Sequence, residues 1–151
     1  MARKIGSSRG VVVAAPDYVK RHGRPRHPRD LINYECFGYV LATRASWAFL
    51  VDGRTAWFPV AGRLEANSGD ALLAAATGGL GIANLPTFIV DTAVRERRLD
   101  ILLPAFRTPE LGIYAVFPSN RCVPHRVRTL VEYLAQRIGP KPPWDEILPK
   151  G

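Results

Sequence analysis

Apolar residues occur along this chain in short runs, and the spacing within each run predicts an element. Runs that are β-branched or alternate with polar residues predict strands. They are RGVVVAA (9–15), ECFGYVL (35–41), RLEAN (63–67), GIANLP (81–86), RLDILLP (98–104) and GIYAVFP (112–118). The polar segment TRAS predicts a loop. After it, WAFLVDG and TAWFPVAG predict a hairpin that turns near Asp52-Gly53.

Four segments have the pattern of helices. DYVKRHG predicts a short helix with Gly23 at its C′ position. ALLAAA follows the cap-type residues Asn67, Ser68 and Asp70 and stops at Gly78-Gly79. FIVDTAVRERR predicts a helix capped by Thr87. The last, VPHRVRTLVEYLAQRI, begins with Pro124 and repeats apolar residues every three or four positions: Val123, Val127, Leu130, Val131, Leu134 and Ile138.

The order of these elements predicts the fold class. Strands that alternate with helices are typical of an α/β architecture, here with largely parallel strand pairing. The segment RPRHPRDLINY predicts a proline-bent loop that leads into one helical turn. The Pro-rich tail PKPPWDEILPKG is expected to lie along the surface, with Trp144 as its one anchor.

Composition narrows the class of protein. The 151 residues are 47% hydrophobic, which is enough for a packed core. No apolar run reaches the ~20 residues of a membrane span, and no apolar segment of signal-peptide type follows the N-terminus, so a cytoplasmic location is expected. Cys36 and Cys122 stand far apart, without CxxC or Cys/His spacing, which predicts two buried thiols.

The net charge of +8 is unevenly distributed. Residues 1–30 carry eight Lys/Arg against two Asp, a balance of +6, and the remaining residues carry +2. Clustered cations could bind nucleic acid by releasing counterions from phosphate. The basic segment KRHGRPRHPRD, however, lacks interleaved aromatic residues and contains Pro and Gly. A solvated basic surface on loops is therefore the expectation.

Motifs of known chemistry are few. GGLG (78–81) follows a helix and precedes a strand, the reverse of a dinucleotide-binding turn. The turn LEAN-SGD does lead from a strand to a helix, and could bind an anion or serve only as a cap. His22, His27 and His125 have no ligand partners at metal spacing and are expected to be exposed. Because no nucleophile–base pair is evident, we expect no enzyme, no cofactor and no metal site.

Three segments in order resemble the effector-binding domain of LysR-type transcriptional regulators. VVVAAPDYVKRHGRPRHPRDL is similar to that family's strand, "P-x-Y-L-x-x-x-G-x-P" turn and "P-x-D-L" helix. GRLEANSGDALLAAATGGLGIANLP resembles its strand, "N-S/D" cap, helix and "G-x-G-I-x-x-L-P" strand. RRLDILLP with IYAVFPSNRCVPHRVRTLVEYL resembles its closing strand and final helix. Together the segments span roughly residues 2–145.

The resemblance implies an α/β fold of the type-2 periplasmic-binding-protein kind, in which two lobes face each other across a cleft. On that template residues 14–112 form a complete second lobe, and residues 1–13 and 113–151 form a partial first lobe. The winged helix-turn-helix, the linker helix and the opening of the first lobe have no counterpart in this sequence. No specific DNA binding by this chain is therefore expected.

The resemblance also implies a function and a site. The chain is expected to bind a small, anionic effector and to self-associate, with no membrane partner; a freestanding small-solute-binding module is the alternative. The family's ligand-contacting positions fall on residues of the loop after the second strand, the strand end before the central helix and the returning strand. They are Thr43, Trp47, Asn67, Ser68, Ile113 and Tyr114. For Trp47 and Tyr114, plain core packing is the alternative.

Overall fold

The structure is a computed structural model that describes residues 1–40, 45–118 and 123–150. Its strands are β1 (Ala2–Ala14), β2 (Gly38–Tyr39), β3 (Ser46–Val51), β4 (Arg54–Pro59), β5 (Glu65–Ala66), β6 (Ala83–Pro86), β7 (Asp100–Leu102) and β8 (Glu110–Val116). Its α-helices are α1 (Pro16–His22), α2 (Gly69–Thr77), α3 (Thr87–Arg95) and α4 (His125–Ile138). Two 3-10 helices, Pro28–Asn33 and Pro143–Ile147, complete the list.

Strand β1 belongs to two pairings in succession. Its first half runs antiparallel to β8, from Ala2 opposite Val116 to Arg9 opposite Glu110, with a register shift between Lys4 and Gly6. Its second half lies between β6 and β7, antiparallel to both. The sequence predicted a strand only from Arg9 onward. The first half was not predicted because it has charged residues and glycine in place of an apolar pattern. These residue types fit its position, since it is exposed or half-buried apart from Ser8.

The sheet around the second half of β1 extends through a single parallel bridge. Cys36 lies beside Ile82, where the Phe37 N–H donates to the Ile82 carbonyl at 2.9 Å. Because β2 also pairs in parallel with β5, the strands follow the order β5-β2-β6-β1-β7. The strands β5, β2, β6 and β7 run one way and β1 runs the other.

The expectation of largely parallel pairing is wrong. Strand β1 is antiparallel to β6, β7 and β8, and β3 is antiparallel to β4. The reason is that β1 enters the sheet from the opposite end, having first paired with β8. The hairpin β3–β4 forms as predicted, with Asp52 (φ 52°) and Gly53 (φ 74°) in the left-handed backbone that a tight two-residue turn needs.

Alternate residues of β1 face two hydrophobic clusters, one on each side of the sheet. Val11 and Val13 pack with residues of α2 and α3. Val12 and Ala14 pack with residues of α1, the first 3-10 helix and the hairpin, including Tyr18, Leu31 and Phe49. The larger sheet is therefore covered on both faces, which is typical of an α/β unit.

Helix ends largely follow the sequence signals. Gly23 ends α1 with φ 84°, and Ser68 is the N-cap of α2, its hydroxyl accepting from the Ala71 N–H at 3.4 Å. Thr87 does not cap α3: Pro86 is the N-cap, and Thr87 is the first helical residue. Its hydroxyl turns away from the helix to contact Ser8 and Asp145, so a long-range contact prevails over local capping.

The cysteines and histidines are only in part placed as predicted. Cys36 is buried as a free thiol, whereas Cys122 lies outside the described residues, as do Thr43 and Arg44 of the TRAS loop. His22 and His125 are exposed. His27 is half-buried instead, because its ring packs edge-on against Phe58 and Phe106 and caps the first 3-10 helix.

The basic residues are not confined to loops, contrary to expectation. Arg3, Lys4 and Arg9 lie on β1, and two of the other cations lie on α1. Several of them form ion pairs: Arg3–Glu132, Lys4–Glu110, Arg9–Glu110 and Arg24–Asp100, with N···O distances from 2.9 to 3.9 Å. In the part of the chain that the structure describes, no helix is long and apolar enough to cross a membrane.

Candidate functional site

The chain segments that could contact a ligand lie at one edge of the larger sheet, where most of its strands end. The strands β5, β2, β6 and β7 all end there, so that Val40, Asn67, Thr87 and Leu103 each follow a strand at this edge. The chain goes from β2 outward to β5 and then returns across β2 to β6. Ligands of open α/β sheets bind outside the carboxyl ends of strands where the chain direction reverses in this way.

The turn from β5 into α2 presents the first pair of predicted residues at this edge. Asn67 and Ser68 are both exposed. Gly69 follows, where a Cβ would come within 2.6 Å of Ile89 Cδ1, so the start of α2 lies tight against α3. The turn therefore combines solvent-exposed polar side chains with a helix N-terminus, and that terminus favours a negative charge.

The other predicted residues lie on different strands. Trp47 is half-buried on β3, opposite Phe58, and packs against the cluster around Phe49. Ile113 is half-buried and Tyr114 exposed on β8, opposite Gly6 and Lys4. Thr43 lies outside the described residues.

The described residues of this set fall into three groups. Asn67 and Ser68 are neighbours, and so are Ile113 and Tyr114, but Trp47 and the two pairs are associated with three separate sheets. Within residues 1–40, 45–118 and 123–150, no hydrogen bond or ring contact joins one group to another.

Sequence reasoning missed a polar cluster at the start of α3. The Thr87 hydroxyl donates to Asp145 Oδ1 at 2.6 Å and lies 3.2 Å from the Ser8 hydroxyl. Ser8 and Thr87 are both fully buried. Thr87 could have been noticed because it directly follows the strand-ending Pro86. Nothing local marks Ser8 or Asp145, since they lie 79 and 58 residues away from Thr87.

A second missed contact fixes the point at which β1 passes between its two pairings. The Thr108 hydroxyl, which is buried, donates to the Gly10 carbonyl at 2.7 Å. A Cβ on Gly10 would lie 2.7 Å from Asn84 Oδ1 and 3.3 Å from Thr108 Oγ1. The glycine thus leaves room for two polar side chains beside the strand.

Charge on the β1–β8 ribbon is largely compensated. The Lys4 ammonium donates to Glu110 Oε1 at 3.1 Å and holds the pKa of that carboxyl below its usual range, with Arg9 adding to the effect. Among the described residues, no group of three or more His, Cys, Asp or Glu could hold a metal ion.

Comparison with known proteins identifies the arrangement. Residues 1–139 match the family described as the LysR substrate binding domain. The chain belongs to this LysR family. It is 36% identical over 142 residues to the HTH-type transcriptional regulator PtxR of Pseudomonas aeruginosa, covering 93% of this chain and 46% of that protein. A regulator of Neisseria meningitidis, CrgA, is 30% identical over 140 residues, covering 91% of this chain and 46% of CrgA.

Solved LysR regulatory domains have the same fold. The CrgA regulatory domain superimposes with a TM-score of 0.80 at 29% identity, covering 92% of this chain and 69% of that domain. The regulatory domain of the C227S variant of AphB from Vibrio vulnificus gives 0.77 at 28% identity, covering 90% and 68%. The predicted family and the α/β fold of the type-2 periplasmic-binding-protein kind are therefore confirmed. The family is non-enzymatic, as expected.

The match is partial in length. The LysR chain spans about half the length of the curated relatives that it matches, at 46% of PtxR and 44% of a regulator from Haemophilus influenzae. It is homologous to the effector-binding regulatory domains of these regulators, and the described residues show no DNA-binding domain.

Proposed function

We propose that this LysR domain binds a small anionic effector at the carboxyl-end edge of its larger sheet, and that binding controls transcription by the regulator to which it belongs. The observation that carries the proposal is the exposed Asn67-Ser68 turn at the start of α2, beside the reversal of chain direction. Thr43, Trp47, Ile113 and Tyr114 are proposed as further contacts from the family's pattern. A cytoplasmic location and the absence of a membrane partner belong to the same proposal.

Local chemistry supports an anionic group at this turn. The first backbone N–H groups of a helix have no partner inside it and point outward, and the helix dipole adds partial positive charge. Ser68 provides a hydroxyl that already accepts from Ala71 and can still donate. An acidic effector would replace water at these donors.

The proposed division into lobes follows the pairing of β1. The first half of β1, β8 and α4 form one unit, since α4 packs on β1 through Ile138 beside Gly6. The second half, from Gly10, is hydrogen-bonded to β6 and β7. This pairing favours crossing points at Arg9–Gly10 and near Glu110, close to the boundaries expected at residues 14 and 112.

Titration calorimetry on a panel of mono- and dicarboxylates provides the test. A ligand found in this way should bind about tenfold more weakly to Ser68→Ala, which loses the cap and one hydrogen-bond donor. Thr129→Ala, which removes an exposed hydroxyl from α4, is the matched control and should bind like the parent chain. Unchanged binding to Ser68→Ala and Asn67→Ala together would place the effector elsewhere.

A freestanding solute-binding module is the second candidate, supported only by the shared fold. A regulator's sensor and a solute-binding module differ in whether ligand binding changes the DNA affinity of an attached DNA-binding domain. Joined to the helix-turn-helix part of PtxR, this domain should confer a ligand-dependent change in operator binding if it is a regulator's sensor. An operator affinity that stays unchanged with every ligand that the domain binds would favour the solute-binding module.

A further inference from the structure

A cavity of about 960 Å³ lies beside the crossing of β1, away from the proposed effector turn. One wall is the loop between β7 and β8, and another is the C-terminal tail, defined here as residues 140–150. Four apolar residues of one hydrophobic cluster line it and are called its floor here: Val12, Leu102, Leu103 and Phe106. Val11 and Ile101, from the cluster on the other side of the sheet, also line it. The volume falls within the range of small-molecule sites, which is about 300–1,000 Å³.

The C-terminal tail is held in place by specific contacts with α3. Asp145 accepts from the Thr87 hydroxyl, and Trp144 packs edge-on against Phe88 with ring centroids 6.0 Å apart. The guanidinium of Arg95 binds both Glu146 and the Pro143 carbonyl, at 3.2 and 3.0 Å. This wall of the cavity is therefore formed before any ligand is present.

Cations at the cavity outnumber the available anions. Arg9, Arg107, Lys141 and Lys150 line it, against Asp145 and Glu146. Both carboxylates are already engaged, the first by Thr87 and the second by Arg95. Arg9 lies 3.9 Å from Glu110. Within the described part of the chain, Arg107, Lys141 and Lys150 have no carboxylate within 4.0 Å.

We propose that this cavity is a second ligand site, which takes a small organic anion with an apolar body. The apolar part contacts the floor at Leu103 and Phe106, and the acidic group lies toward Arg107 and Lys150. None of the six residues proposed for the effector site lines the cavity. Asn67 follows β5, which is four strand spacings from β7, or about 19 Å. The inference therefore does not depend on the proposed function.

Two dyes that differ by one charged group test the proposal. The probe is 8-anilinonaphthalene-1-sulfonate, and N-phenyl-1-naphthylamine has the same rings without the sulfonate. The double variant R107Q/K150Q should weaken binding of the sulfonate about tenfold, because charge-assisted contacts are lost. Binding of the uncharged dye should change by less than about twofold. The matched control R126Q/R128Q makes the same change of net charge on exposed α4 and should leave both affinities unchanged.

Each other outcome overturns the proposal. Equal losses in the two double variants would mean that only net charge matters. Equal losses for the two dyes would mean an apolar pocket without anion selectivity. Methyl NMR locates the probe independently: shifts should appear at Leu103 and Val12. Shifts confined to Ala71, at the start of α2, would place the anion at the proposed effector turn, which would overturn this inference while leaving the proposed function intact.

Discussion

Cys36 illustrates how a single side chain is fixed by its surroundings. It is 1% exposed, its thiol donates to the Leu31 carbonyl, and its backbone forms the bridge between β2 and β6. Burial, followed by the nearby charge of Glu35, raises the pKa of the thiol to about 12. The thiolate, which is the reactive form, is therefore scarce at neutral pH.

We expect Cys36 to react with iodoacetamide at pH 8 at least about a thousandfold more slowly than a free cysteine of pKa near 8.5, because the thiolate fraction falls by that factor. Peptide-resolved mass spectrometry follows Cys36 separately from Cys122. The same shift predicts a pH effect: the raised folded pKa makes the domain lose stability as pH rises from about 8.5 toward 12, where only the unfolded thiol ionises. Rapid labelling of the folded chain would contradict both statements.

Predictions for single residues from the sequence were correct where the residue interacts with close neighbours in the chain. The Ser68 cap, Gly23 after α1 and the Asp52-Gly53 turn each depend on neighbours within a few positions. Thr87 and His27 were misjudged because their partners are distant in sequence. A hydroxyl that follows a strand has the same local appearance whether it caps a helix or bonds a residue 58 positions away.

At the scale of elements, the C-terminal tail docks on α3 through more than the expected tryptophan. Its 3-10 helix presents Trp144, Asp145 and Glu146 to Phe88, Thr87 and Arg95. The carboxylate of Asp145 meets the first residue of α3, where the helix dipole favours negative charge. The hydroxyls of Ser8 and Thr87 link this contact to β1.

Asp145→Ala should lower the free energy of unfolding by about 1–3 kcal/mol, because the buried Thr87 hydroxyl loses a charged acceptor. Urea denaturation measures the loss, and hydrogen exchange should show faster exchange in the first turn of α3. Asp70→Ala removes an exposed aspartate from the first turn of α2, and this control should cost less than about 1 kcal/mol. Equal costs for the two variants would mean that Asp145 contributes only through the dipole.

Element prediction from sequence was accurate for helices and weak for strand pairing. The runs that formed α2, α3 and α4 carry their periodicity within themselves. The direction of β1 relative to its neighbours does not follow from its own residues, since VVVAA is equally suited to parallel and antiparallel ladders. The first half of β1 was missed because RKIGSSR is mostly charged, glycine and serine residues with a single apolar residue, and only its pairing with β8 identifies it as a strand.

At the scale of the whole molecule, the ribbon of β1 and β8 with α4 leaves much apolar surface uncovered. The chain exposes 9763 Å², against about 7,600 Å² for a typical compact protein of 16.7 kDa. The exposed large hydrophobic residues of this unit are Leu111, Tyr114, Val116, Leu130, Tyr133 and Leu134. Large apolar patches of this kind are typical of protein–protein contact sites.

We therefore propose that a second copy covers this surface, and we expect the purified chain to sediment as a dimer or larger oligomer. Val116→Asp with Leu130→Asp should shift the equilibrium toward monomer, because burying two carboxylates at an interface is costly. Leu80→Asp, at an exposed apolar residue between α2 and β6, is the control and should leave the oligomer intact. A monodisperse monomer of the parent chain would refute the proposal.

Despite a pI near 10.1, we expect no sequence-specific binding to duplex DNA. Four of the basic residues in the first part of the chain pair with carboxylates of the same chain, and their remaining attraction for phosphate is not directed at bases. Fluorescence anisotropy should show weak binding that falls roughly tenfold or more between 50 and 200 mM salt. A sequence-selective complex that persists at about 0.2 M salt would contradict this expectation.

The continuity of β1 has a mechanical consequence. A single extended segment of 13 residues carries hydrogen-bond ladders of both sheets, without a loop or turn between them. Rotation of one sheet relative to the other must then twist the backbone near Gly10, whose carbonyl accepts a hydrogen bond from the Thr108 hydroxyl. Ligand binding at one end of β1 would therefore be transmitted to the other end as a rotation of the sheet, not as a translation.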